Sequence, residues 1–515
     1  MRSLLRRPAS PLAEGIVLGV AAMAVYLLTR TRDVGGDGTV FASAVDNWLR
    51  GRPEWSLLFL PHHPVYNPLV AAVSWIARAL GTRPLVLDVG AGVSAAAAAF
   101  ALGATVVLLR RAGVREGVAL LAATALALAG GFWAYATRME VYTLAAAAVV
   151  LWLAAVGRER ARAVPVGTAL CLAVLAHAAT GLLAIPTALR MRRRPRELSL
   201  ALLIGIGVPT LLIISSFVLL EGRMTPLAWS AGFFTGAEYL EPARVGSVPQ
   251  ALRGLLLWGF YHSAPVLRPA AVLWMDRLGA LALVLAAALL ALGVVSAVRR
   301  RNPLALTALL ALLAYLPLWL VWDVGNVEHV VAAAPLFAVL LGFGANEIPR
   351  RGGAGLLAAT AALLVVVNGV ASALPQSRPQ NGRVWVVASF VQRHLPLDAV
   401  ILSSGRDARL RLGLEYLSGR RVVDLTLAVS SARQHGLPPA AALAYWLQGA
   451  ASARHPWAMG DVFEPQTAAW VEKIGLTSKQ WDGALAHLHP GPAIPLRGDA
   501  ALVAGPVSFR PISFR

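Results

Sequence analysis

The chain has 515 residues, 57% of them apolar and only 14% charged, with a mean hydropathy of +0.65; this balance excludes a water-soluble globule of such size and reads as an integral membrane protein. Lys and Arg number 46 against 26 Asp and Glu, a formal charge of +20, but the arginines stand in short tracts between apolar runs. That is the positive-inside pattern rather than a basic face with interleaved aromatics, so a lipid bilayer is the expected partner and nucleic acid is not. The single cysteine, Cys171, rules out an intramolecular disulfide and a cysteine-based zinc site.

With the arginine tracts taken as markers of the cytoplasmic side, Arg2, Arg6 and Arg7 lie inside and a first span runs from about Leu12 to Arg30, an uncleaved signal anchor. The polar stretch that follows, Thr31 to Ser56, carries Asp33, Asp37, Asp46 and Glu54 and is predicted as a long outward loop over 31–61. The segment 64–80 is short and interrupted by proline. Reading it as re-entrant or interfacial keeps the later tracts, at Arg110 to Arg115, Arg158 to Arg162, Arg190 to Arg196, Arg299 to Arg301 and Arg350 to Arg351, on one side. The run Val164 to Leu189 lies between two such tracts and must fold back on itself, with a tip near His177, Thr180 and Gly181. Longer spans are expected from about Leu198 to Leu220, Leu278 to Val298, Pro303 to Trp322, Val330 to Asn346 and Leu356 to Leu374.

This gives an all-α polytopic domain, residues 1–374, of about eleven spans, with the amino terminus cytoplasmic. From 375 to 515 the composition becomes that of a soluble domain, expected on the extracytoplasmic side. Within it "AVILSSG", Ala399 to Gly405, then the helical "DARLRLGLEYL", then "RVVDLTL" read as a βαβ unit, so this domain is predicted to be α/β.

The topology brings acids, histidines and an arginine from distant segments to the outward face: the 31–61 loop, the pair His62 and His63, Arg138 and Glu140 in the turn of "FWAYATRMEVYTL", the tip at His177, and "WDVGNVEH" from Trp322 to His329. Such convergence marks a candidate site. Asp37 stands out because Gly35, Gly36 and Gly38 flank it and permit close approach of a ligand. Each residue also has a plain structural role open to it: interfacial anchoring for the acids, helix capping for the His62–His63–Pro64 stretch, a turn at Gly325 and Asn326, and a first-turn acid favoured by the helix dipole at Glu328.

The order of these pieces resembles the GT-C superfamily of polytopic membrane glycosyltransferases, in particular its protein O-mannosyltransferase-like branch, which has many bacterial members of unknown substrate. "DGTVFASA" at Asp37 to Ala44 and "HHPVYNPL" at His62 to Leu69 are similar to the family's first-loop motifs, although Val40 replaces a glutamate and Val65, Tyr66 and Asn67 replace Pro-Gly-Tyr. Asp33 is the acid available to make up the missing carboxylate. Trp133 with "EVYTL", Glu140 to Leu144, is the most specific match and includes Tyr142; "AHAATGLLAIP" around His177 and "WDVGN" with Asp323 and Asn326 complete the set.

The resemblance implies a bacterial inner-membrane enzyme that transfers a sugar from a polyprenyl-phosphate carrier to an extracytoplasmic protein, polysaccharide or lipid acceptor, with inversion. On that basis Asp37 is expected as general base, Arg138 with His62 or His63 as stabilisers of the departing phosphate, and Glu140 as the group that orients Arg138 or the sugar hydroxyls. Asp33, Tyr66, Tyr142, His177, Asp323, Asn326 and Glu328 are expected to bind substrate. A divalent cation is left open, since no HExxH-like ligand spacing occurs. The competing classes are a transporter or flippase of a lipid-linked precursor, for which no inverted repeat is read, and a noncatalytic scaffold of the same fold.

Overall fold

The computed structural model describes residues 10–32, 34, 36–60, 62–158, 160–221, 269–321, 328–349, 351–434, 436–505 and 507–514. Asp33, Asp323 and Asn326 lie outside them. The chain divides into two compact units, one of Met1–Arg30 with Ala44–Pro375 and one of Thr31–Ser43 with Gln376–Arg515.

The first unit is helical. Among the described residues six helices are long and apolar enough to cross a membrane, or seven if a bent pair is counted, and four shorter apolar helices, Tyr142–Val156, Ala163–Ala176, Ala178–Met191 and Ala334–Glu347, accompany them. The expectation of about eleven crossings therefore needs these shorter helices to be counted as spans. Helix α1 (Pro11–Leu28) packs on α5 (Val86–Arg111) at a glycine crossing. A Cβ on Gly15 would come 2.5 Å from the Gly103 carbonyl oxygen, so only hydrogen fits between the two backbones. Beside this crossing Arg110, in the last turn of α5, donates from Nε to Glu14 at 3.0 Å. Another tract arginine, Arg115, donates to the Ala345 and Ile348 carbonyls at 3.1 and 2.8 Å and so closes the end of the Ala334–Glu347 helix, where a cation is favoured.

The segment expected as the 31–61 loop is largely helical, with α2 over Gly36–Leu49 and α3 over Trp55–Leu58. Its first part, Thr31–Ser43, falls in the second unit rather than with the spans. Helix α4 (Tyr66–Ala79) has 14 residues, too few to cross a bilayer upright. The hairpin is present: α9 (Ala163–Ala176) ends at His177, and α10 (Ala184–Met191) returns the chain until Arg194 reaches the Ala161 carbonyl at 3.0 Å and Glu197 accepts from the Ala163 N–H at 2.7 Å.

A sharply bent helix pair aims the turn that carries Arg138 and Glu140. Helices α6 (Glu116–Ala127) and α7 (Gly130–Ala136) meet at 68°. A break inside an apolar helix bundle frees carbonyls that must find partners within the protein. Here the Tyr26 hydroxyl donates to Ala127 O at 2.9 Å and the Asn368 amide to Leu128 O at 2.7 Å, which holds the bend open. Trp133 Nε1 donates to Thr29 Oγ1 at 2.9 Å and ties α7 to the end of α1. Helix α8 (Tyr142–Val156) follows the turn.

The second unit holds a sheet of β1 (Ala399–Ser403), β2 (Arg421–Asp424), β3 (His455–Met459), β4 (Leu488–Pro490), β5 (Ile494–Pro495) and β6 (Ser508–Phe514). The order is β2-β1-β3-β6-β4, with β5 on β6; β1 is parallel to both β2 and β3, while β6 is antiparallel to its neighbours. Parallel neighbours need crossovers, and the helix Ala408–Ser418 supplies the one between β1 and β2. Ile401 and Leu402 alternate across β1 into two separate apolar cores, the first with Val387, Leu414 and Phe509, the second with Val429, Leu447 and Trp481. "RVVDLTL" is strand only as far as Asp424: its carboxylate accepts from the Leu427 N–H at 2.8 Å, capping a helix that starts at Leu425.

Candidate active site

The turn between α7 and α8 is fixed through its backbone. Ser94, in the alanine-rich middle of α5, donates to the Glu140 carbonyl at 2.8 Å and accepts from the Glu140 N–H at 3.3 Å. The Tyr66 hydroxyl, at the start of α4, lies 2.9 Å from Ser94 Oγ and 3.1 Å from the Gly90 carbonyl. Gly90 is required at that point, since a Cβ would run into the Met139 side chain. Both polar groups of an irregular peptide are thus paired inside protein, as a low-dielectric setting demands. Glu140 is buried, only 5% exposed, and Arg138 is half-buried.

A second carboxylate faces the same turn. Tyr135 Oη donates to Glu328 Oε1 at 3.1 Å and Tyr142 Oη to Glu328 Oε2 at 3.0 Å, one phenol for each oxygen. The two rings meet edge to face at 5.2 Å. Tyr135 senses the charges of Glu328, Glu140 and Arg138, and Tyr142 those of Glu328 and Glu140. The phenols therefore stand among two acids and one guanidinium.

Histidines close the group. His177 lies at 5.2 Å from the Tyr142 ring, and its Nδ1 accepts from the Ala179 N–H at 3.2 Å, which leaves the proton of the neutral ring on Nε2. The Ala178 N–H donates to the His62 carbonyl at 2.7 Å, so the hairpin tip is stitched to the His62–His63 turn, whose two rings are 4.3 Å apart. Burial pushes the His62 imidazole down to about 4. His63 is also held well below the usual histidine range by burial, with His62 and His177 adding to the effect. Both are neutral hydrogen-bonding groups at pH 7, and Arg138 is the standing cation of the cluster.

Of the residues singled out from sequence, the structure brings together His62, His63, Tyr66, Arg138, Glu140, Tyr142, His177 and Glu328 within the first unit. Asp37 is exposed in the first turn of α2, in the segment that belongs to the second unit. Ser94 and Tyr135 were not foreseen. A lone serine in "GAGVSAAAAAF" and a tyrosine seven positions before Tyr142 were the available signals. Among the described residues no group of three or more His, Cys, Asp or Glu side chains is placed to hold a metal ion.

No family model and no curated protein matches the chain. Among solved structures, the fold is similar to ArnT from Cupriavidus metallidurans bound to undecaprenyl phosphate, with a TM-score of 0.62 at 15% identity over 96% of this chain and 97% of that one. It is similar as well to the Archaeoglobus fulgidus oligosaccharyltransferase, with a TM-score of 0.53 at 13% identity over 92% of this chain and 73% of the other. The mycobacterial arabinofuranosyltransferase AftD gives a TM-score of 0.51 at 15% identity over 98% of this chain, which spans 40% of its length. The chain is thus a multi-pass membrane protein with the GT-C fold.

Proposed function

We propose that the protein is a membrane glycosyltransferase that takes a sugar from a polyprenyl-phosphate donor and passes it, with inversion, to a hydroxyl-bearing acceptor outside the cytoplasm. The observation that carries this reading is the gathering of Glu140, Glu328 and Arg138 around Tyr135 and Tyr142, with the His62–His63 pair joined to them through His177, from segments far apart in sequence. In the reaction the acceptor oxygen attacks the anomeric carbon while the bond from that carbon to the phosphate oxygen breaks. The carrier phosphate keeps the electron pair, and the acceptor proton goes to a base.

Arg138 neutralises the charge that grows on the leaving phosphate. His62 or His63, neutral before donor binds, donates an N–H to it and gains basicity beside the anion. Glu140, fixed by Ser94, orients Arg138 or the sugar hydroxyls, and Glu328 with its two phenols binds the sugar. Asp37 is the general base, a role that rests on the likeness of "DGTVFASA" to the family's first-loop motif and on its exposed carboxylate. Asp33, Asp323 and Asn326 are assigned to substrate binding on the same resemblance. ArnT, which shares the fold, was crystallised with undecaprenyl phosphate, and a carrier of that class is the donor proposed here.

The test is incubation of the purified protein in lipid nanodiscs with a panel of radiolabelled polyprenyl-phosphate sugars, with and without cell-envelope extract. Consumption of one donor, raised by extract, is expected. If no donor of the panel is consumed in either arm, the protein is not this kind of transferase.

A further inference from the structure

In the second unit the chain leaves β1 for β2 on one side, while β3 lies on the other. The carboxyl ends of β1 and β3 therefore form a topological switch point, where open sheets of this kind take their ligands. The residues there are not those of a plain turn. Ser404 donates both its N–H, at 3.3 Å, and its hydroxyl, at 2.6 Å, to the same oxygen of Asp461, Oδ2. The other oxygen, Oδ1, is buried and has no hydrogen-bond partner among the described residues. Gln466 repeats the pattern: its Nε2 donates to the Asp461 and Glu464 carbonyls at 2.8 and 2.9 Å, and its Oε1 is buried without a partner among the described residues. Two sheltered acceptors thus stand in one loop, five residues apart, while exposed Arg406 in the loop after β1, its guanidinium 4.0 Å from the Glu464 carboxylate of that loop, brings further donors.

We propose that this edge of the carboxyl-terminal unit binds a carbohydrate through its hydroxyl groups, with Asp461 and Gln466 as acceptors and Arg406 as a donor. A neutral ligand with several O–H groups matches two acceptor oxygens and one donor side chain. An anion is disfavoured by the Asp461 and Glu464 carboxylates, and a metal ion by the lack, among the described residues, of any group of three His, Cys, Asp or Glu ligands. Burial raises the Asp461 carboxyl, in keeping with a group that awaits a donor. The site stands whether or not the first unit transfers sugar.

The experiment is saturation-transfer NMR on the full chain in nanodiscs, using methyl glycosides of glucose, mannose, galactose and arabinose, each with and without calcium. Asp461→Asn is informative because Ser404 holds one side-chain oxygen with two donors; asparagine keeps its oxygen there and turns its NH2 outward, replacing an acceptor by a donor. Saturable binding of at least one glycoside without calcium is expected, weakened about fivefold or more in Asp461→Asn and in the surface variant Arg406→Ala, with melting unchanged. Failure of all four glycosides to bind, binding that needs calcium, or wild-type binding in both variants would each overturn the proposal.

Discussion

Tyr142 donates its hydroxyl to Glu328 at 3.0 Å, across 186 residues of sequence, while Tyr135 takes the other oxygen of the same carboxylate at 3.1 Å. A short helix, Glu328–Val331, is thereby docked on α7 and α8. Replacing either tyrosine by phenylalanine should lower stability by about 1–2 kcal/mol, and the double variant by more than the sum, because the carboxylate then loses both donors. Melting in detergent for the two single and the double variants checks this; strict additivity would mean that the phenols do not share one acceptor.

Ser94 carries the turn. Ser94→Ala removes both hydrogen bonds to the Glu140 backbone and the contact with Tyr66, and should cost about 2–3 kcal/mol. Cysteine, which keeps a weak donor at that place, should cost less. Urea or thermal unfolding distinguishes them, and equal losses would assign the effect to packing alone.

Arg138→Ala should slow donor consumption about 100- to 1000-fold with little change in melting, and Arg138→Lys should recover part of the loss. Initial rates over a donor titration measure it. Unchanged donor kinetics would leave Arg138 as an anchor at the membrane edge.

Asp37→Asn should reduce transfer by about 100-fold or more while donor binding stays as in the parent protein. Transfer and donor binding are measured side by side in the same nanodiscs. Full activity in this variant would remove Asp37 from the chemistry.

His62 sets a pH dependence of stability. Its imidazole is held down to about 4, whereas an unfolded histidine titrates near 6.5, so between these values the unfolded chain binds a proton that the folded one refuses. Stability is complete above about pH 6.5 and falls as the pH drops toward 4, by about 1–3 kcal/mol from this group. His62→Gln should flatten that part of the profile in a series of melts from pH 7.5 to 4.5. A wild-type slope in the variant would place the sensitivity at His63 or elsewhere.

Much of this was legible in sequence where a residue type has few other uses. The charged break "TRME" between two apolar runs predicted the turn with Arg138 and Glu140; the two arginine tracts around 164–189 predicted the reversal at His177; "AVILSSG" predicted β1. What escaped depends on contacts between distant segments. No local pattern says that Tyr26 and Asn368 will complete the break between α6 and α7, or that Ser94 will hold Glu140. The helix α2 was hidden by the glycines of "GGDGTVF", which read as a loop; its later residues Phe41, Ala42, Ala44 and Val45 are buried, and tertiary packing decides the matter. Helix count is blurred for a similar reason, because short apolar helices such as Ala163–Ala176 are too brief to pass as spans by length alone.

The tie between Arg32 and the residues that follow the last span sets an order of events during synthesis. Arg32 donates its N–H to the Gln376 carbonyl at 2.7 Å and lays its guanidinium over the Trp385 ring at 4.9 Å. The stretch that begins at Thr31 leaves the ribosome early, yet its partners are made only after every span has been translated. At about 5–20 residues per second that interval is on the order of tens of seconds. Through that time the early segment must stay uncommitted, so a unit that is completed after the spans carries a first piece made before most of them.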